Sequence, residues 1–151
     1  MENGNLLAAF SNNLADLVDQ TAGAIATVNA SRQISVSGVH WREGLIVTVE
    51  HGIRQSEDLT VTIADGITLP ATLVGRDPGS DLALLRVPDL KLPSATLGDA
   101  QNLKVGHMVL AVARDSDRGV SASLGILNSQ GEAWRSSSGG KIDRFLRPSF
   151  M

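Results

Sequence analysis

Gly44-Leu45-Ile46-Val47-Thr48-Val49-Glu50-His51-Gly52 and, further along, Gly75-Arg76-Asp77-Pro78-Gly79-Ser80-Asp81-Leu82-Ala83-Leu84-Leu85 are the two stretches on which the fold turns. Each joins a short apolar run of β type to a polar segment containing glycine. In the first, the run ends just before His51; in the second, it starts just after Asp81. An imidazole and a carboxylate therefore stand at strand ends, where a side chain is held by the fold and still reaches a substrate. A buried carboxylate at position 81 could accept a bond from the ring, fix its tautomer and stabilise the imidazolium. Taken singly, a histidine in a turn and an aspartate capping a loop are ordinary surface features. Their joint occurrence carries the reading.

Short β-type runs extend on both sides of these segments. Residues 24–29, 34–40, 45–49, 59–64, 68–75 and 82–87 read as six strands, with Asp65-Gly66 as a hairpin turn. Six short strands with tight turns fit a small closed barrel, because closure removes the edges. Pro88 to Ala95 reads as a linker. Residues 105–113, 120–128 and 142–147 open a second series, too short to close a second barrel. The expectation is an all-β protein with a complete first barrel over 23–93 and an incomplete second one over 94–151. Strands completing it would come from beyond Met151, from another chain or from a partner, since an open remnant exposes bare edges and an apolar face. Leu7, Phe10, Leu14, Leu17 and Val18 share one face of a helix within residues 1–22. That helix is expected to dock on the body of the domain, with a homo-oligomer contact as the alternative.

Composition narrows the function. The 151 residues are 42% hydrophobic and 19% charged, which fits a globular chain. The formal charge of -3 offers no basic footprint for nucleic acid. Without cysteine there is neither a thiolate nucleophile nor a Cys-ligated zinc site. His40 and His107 lack partners at metal-ligand spacing, so no metal or other cofactor is expected. No apolar run approaches a membrane span, and residues 1–10 lack the pattern of a signal peptide.

With these residues in view, the chain resembles the HtrA/DegP-type, trypsin-like serine proteases. Residues 37–39 and 44–53 are similar to that family's histidine region, and residues 59–66, 70–78 and 80–85 to its hairpin and aspartate region. Leu97-Gly98-Asp99, Leu103-Lys104-Val105-Gly106 and Val109-Leu110-Ala111-Val112 resemble the entry to its second barrel. The resemblance implies two perpendicular barrels with a cleft between them, His51 as general base and Asp81 as the residue that orients it. It also implies a polypeptide substrate, misfolded or unfolded, and a cell-envelope or extracytoplasmic location.

Departures from the family pattern set further expectations. Gly52 replaces a β-branched residue and is expected to loosen the loop; Glu50 is expected to face solvent. Arg114 to Gly119 replaces an apolar stretch, and its loop shape is expected to change. Ser138-Gly139-Gly140 matches the end of a Gly-x-Ser-Gly-Gly nucleophile turn but lacks the preceding Gly-x that converges N–H groups on an oxyanion. Ser136 to Gly140 therefore reads as a solvated loop and Ser149 as a strand-end residue, with the nucleophile expected beyond Met151. Trp41 and Trp134 read as loop anchors. A non-catalytic, protease-like binding or scaffold module is the alternative function.

Overall fold

The structure, a computed structural model, describes residues 2–31 and 34–150, and side chains from Asn5 onward. Met1 and Met151, the outer bounds of the expected first and last segments, lie outside the described residues. The chain opens with a helix, α1 (Glu2–Ala22), followed by β1 (Ile25–Asn29), β2 (Ser35–Arg42), β3 (Leu45–Val49), β4 (Thr60–Thr62), β5 (Thr68–Pro70), β6 (Thr72–Asp77) and β7 (Leu82–Arg86). These strands form one antiparallel sheet in the order β5-β4-β1-β2-β3-β7-β6. The two ends of that order, β5 and β6, are separated in sequence only by Ala71. They are halves of one bent strand, the fifth of the six read from the sequence. One half pairs with β4 and the other with β7, so the sheet curls round on itself. The Ala71 N–H donates to the Leu59 carbonyl at 2.9 Å, which holds the bend.

The alternation of small and branched apolar residues produces the inner wall. Ala26, Val28, Ile46, Val61, Leu85 and Val87 are fully buried, joined by Ile53 and Leu59. Each large side chain removed from water there contributes about 1.5–3 kcal/mol before chain entropy is counted. β1 is buried on both faces: Thr27, which points away from the apolar interior, donates its hydroxyl to the Arg114 carbonyl at 3.3 Å.

The remaining strands are β8 (Met108–Asp115), β9 (Gly119–Gly131), β10 (Trp134–Arg135), β11 (Lys141–Ile142) and β12 (Phe145–Phe150). They make a three-stranded sheet, β12-β9-β8, and a small β10-β11 hairpin. The expected altered loop after Arg114 is a tight hairpin in which Asp115 Oδ1 accepts from the N–H groups of Asp117 and Arg118. Arg114 ties this sheet to the first. Its Nε donates to the Ile25 carbonyl at 2.8 Å and its Nη2 to that of Ala22 at 3.0 Å. A cation on the last carbonyl of α1 suits the negative end of the helix. The docking expected for α1 is confined to its C-terminal end. Ala22 is buried and Leu14 and Val18 are half-buried, while Leu6, Leu7, Phe10 and Leu17 are exposed.

Candidate active site

Two strand ends build the site. β3 runs out at Val49, and the turn that follows is closed by the Ile53 N–H donating to the Glu50 carbonyl at 2.9 Å. Ile53 is buried and anchors the turn from below. Gly52 does not loosen it. The residue is buried, and a Cβ there would stand 2.8 Å from Val36 Cγ1 and 3.2 Å from Val49 Cγ2. Glycine is what allows the His51 turn to press onto β2. Glu50 does not face solvent freely either. Arg76 donates to it at 2.9 Å, and both side chains are largely covered.

The second strand end is the turn from Asp77 to Asp81. Asp77 organises it, with Oδ1 accepting from the Gly79 N–H at 3.0 Å and Oδ2 from the Ser80 hydroxyl at 2.5 Å. These bonds, the Ser80 hydroxyl foremost, hold the Asp77 carboxyl below its ordinary range. Asp81 closes the turn with φ +58°, a left-handed conformation that aspartate tolerates better than most side chains. Its carbonyl accepts from the Glu50 N–H at 3.0 Å.

The structure brings the imidazole and the carboxylate together. His51 Nδ1 lies 2.7 Å from Asp81 Oδ2, and the His51 main-chain N–H donates to Asp81 Oδ1 at 2.9 Å. An ionised carboxylate only accepts, so Nδ1 carries a proton, and in the neutral ring Nε2 holds the lone pair. The Asp81 carboxyl is held below the usual carboxylate range, first by the His51 main-chain N–H and then by the ring. Asp81 is not buried as expected. Its side chain is 46% exposed and that of His51 71%, so water screens the pair on the open side.

Ser138 sits in the turn between β10 and β11, and Ser149 pairs with Ile126 within the sheet. The Ser136 to Gly140 segment is not a freely solvated loop, because the Ser136 hydroxyl donates to the Gly79 carbonyl at 2.6 Å. Neither this contact nor the Glu50–Arg76 pair was readable from spacing. His40 is buried within β2, and His107 Nδ1 accepts from the Lys104 N–H at 3.3 Å. Among the described residues no group of three His, Cys, Asp or Glu gathers as a metal site, and no helix is long and apolar enough to cross a membrane. The tryptophans make ring contacts: Trp134 meets Phe145 edge-on at 5.8 Å, and the Arg42 guanidinium lies 4.2 Å from the centre of Trp41.

A curled six-stranded wall, a second antiparallel sheet and a His–Asp pair at two strand ends define a chymotrypsin-type arrangement. Comparison with known proteins agrees. A family model described as "Trypsin-like peptidase domain" matches residues 36–147, and the chain belongs to that family. Its relatives are of the HtrA/DegP type. A "Probable periplasmic serine endoprotease DegP-like" of Pseudomonas fulva (strain 12-X) is 37% identical over 92 residues, covering 61% of this chain and 19% of that protein. A protein of the same name from Halomonas elongata is 31% identical over 119 residues, covering 79% of this chain and 25% of its own. The chain thus spans about a fifth to a quarter of the length of these curated relatives. The crystal structure of Deg5 superposes with a TM-score of 0.78 at 22% identity, covering 93% of this chain and 74% of that one, and supports the fold.

Proposed function

We propose that this chain supplies the general base, His51, and its orienting carboxylate, Asp81, to a serine endopeptidase that acts on unfolded or misfolded polypeptide. The observation that carries the reading is the 2.7 Å Nδ1–Oδ2 contact, which in the neutral ring puts the proton on Nδ1 and the lone pair on Nε2. In such a triad Nε2 takes the serine proton as Oγ bonds to the peptide carbonyl carbon. It then gives that proton to the leaving amine as the C–N bond breaks, and water hydrolyses the acyl ester in a second round. Asp81 keeps the ring in the required tautomer and stabilises its charged form.

This reading calls for a nucleophilic serine from outside residues 1–151. Ser138 lacks the preceding Gly-x of a nucleophile turn, and Ser149 has no glycine beside it. An extracytoplasmic location accords with the DegP-like relatives, whose names call them periplasmic.

The test is cleavage of a denatured protein by the full gene product and its His51→Ala variant. The expected loss is about 10⁴-fold or more; equal cleavage removes His51 from the mechanism. Residues 1–151 alone are expected to resist an organophosphonate serine probe, and labelling mapped to Ser138 or Ser149 would relocate the nucleophile. Translation past Met151 should reveal a Gly-x-Ser-Gly-Gly turn; a replaced serine there would instead favour a binding module.

A further inference from the structure

The turn that presents Asp81 is gripped from the other half of the molecule. The Gly79 peptide is held on two sides: its N–H donates to Asp77 Oδ1 at 3.0 Å, and its carbonyl accepts from the Ser136 hydroxyl at 2.6 Å. The hydroxyl has a single proton, and it goes to Gly79. One of its lone pairs accepts from the Gly140 N–H at 3.1 Å, so the group both donates and accepts at this junction. The hairpin is itself closed by the Ser136 N–H on the Gly140 carbonyl at 2.9 Å and by Arg135 Nη1 on the Gly139 carbonyl at 3.1 Å.

Backbone packs on backbone at this junction. A Cβ on Gly140 would lie 2.4 Å from both the carbonyl carbon and oxygen of Gly79, and one on Gly79 would lie 2.8 Å from Gly140 Cα. Side chains at either position would force the hairpin off the turn and break the Ser136 bond. Asp81 lies two residues beyond Gly79, with its carbonyl and both carboxylate oxygens already engaged by the His51 turn. A displaced Gly79 peptide therefore moves the carboxylate relative to the ring. The hairpin leads directly into β12, and Arg144 between them donates to the Ala100 carbonyl at 2.7 Å.

We propose that Ser136 is a positioning residue for Asp81, acting through the Gly79 carbonyl, so that seating of the β10-β11 hairpin sets the His51–Asp81 geometry. The proposal rests on the reading of that pair as base and orienter. Misplacement of such a group by about 1 Å can cost a factor of about 100 in rate.

The test follows the Asp81 carboxyl by ¹³C NMR titration in residues 1–151 and in three variants. In the parent chain it should titrate below the ordinary carboxylate range. Ser136→Ala, a change on a part-exposed hairpin, should shift the midpoint upward, because a loosened turn weakens the bonds from His51. Ser136→Thr keeps the hydroxyl and should hold the parent midpoint. His51→Ala removes the ring bond and should also shift the midpoint upward. If His51→Ala shifts it and Ser136→Ala does not, the positioning role is overturned while the pair stands. A Thr variant that shifts as far as Ala overturns it too, since the hydroxyl is then irrelevant. No shift in His51→Ala overturns the pair itself.

Discussion

Gly52 shows how one residue can fix the His51 turn. Its surroundings are β-branched side chains on strands, which have little rotamer freedom with which to yield. Gly52→Ala is therefore expected to destabilise the chain by about 1–3 kcal/mol, read as a lower urea midpoint. His40 is the opposite case. Both its ring nitrogens are buried without a hydrogen-bond partner among the described residues. An unsatisfied buried polar group costs about 1–3 kcal/mol. His40→Leu, similar in volume and apolar, is expected to leave the melting temperature unchanged or raise it; a fall of several degrees in calorimetry would show that the ring is satisfied after all. At this scale the sequence revealed positions but not partners. His51 and Asp81 could be placed at strand ends because apolar runs stop beside them. Glu50 gave no sign of meeting Arg76, because that pair depends on how β3 and β6 flank β7.

Among the elements, Arg114 links α1, β1 and β8. Arg114 reaches across 89 residues to Ile25 and 92 to Ala22, contacts that no local pattern encodes. Its main chain also engages the Ser37 hydroxyl, which donates to the Arg114 carbonyl at 3.1 Å and accepts from the Arg114 N–H at 3.0 Å. Hydrogen bonds from a charged donor are worth about 1.5–3 kcal/mol each, so Arg114→Ala should lower stability by about 2–5 kcal/mol in urea titration. Lysine cannot reproduce the fork and should restore only part of the loss. Helix α1 was legible from its apolar stripe; the exposure of its N-terminal part was not, since periodicity says which face is apolar and not what covers it. A helix with so few tertiary contacts is marginal in water. Amide exchange should be fast in its first turns and slow only near Ala22. The bend at Ala71 was also hidden, because residues 68–75 read as one uninterrupted strand.

For the molecule as a whole, the accessible surface is 10283 Å². A compact monomer of 15.9 kDa would expose about 7,400 Å². Exposed large apolar side chains include Leu6, Leu7, Phe10 and Leu17 on α1 and Met108, Val120, Ile126 and Phe150 on the second sheet. Residues 1–151 alone should therefore bind an apolar dye or self-associate with rising concentration, as seen in fluorescence or light scattering. Acid should also destabilise the fold. Asp77, Asp81 and Asp115 all hold their carboxyls below the ordinary range, through the Ser80 hydroxyl, the His51 N–H and the Asp117 N–H respectively. A lowered folded-state value means the contribution is fully present above the ordinary carboxylate range and is lost as pH falls through it towards the folded values. The urea midpoint should fall over that window, modestly, because all three groups face water. The bent strand has a different consequence. The first wall is a cylinder whose seam passes through the single covalent link at Ala71. A protease nick there would cut the covalent link between the two ends of the sheet and leave the buried core to hold the curl. Resistance to limited digestion at residues 70–72 is therefore a direct measure of how tightly the cylinder is shut.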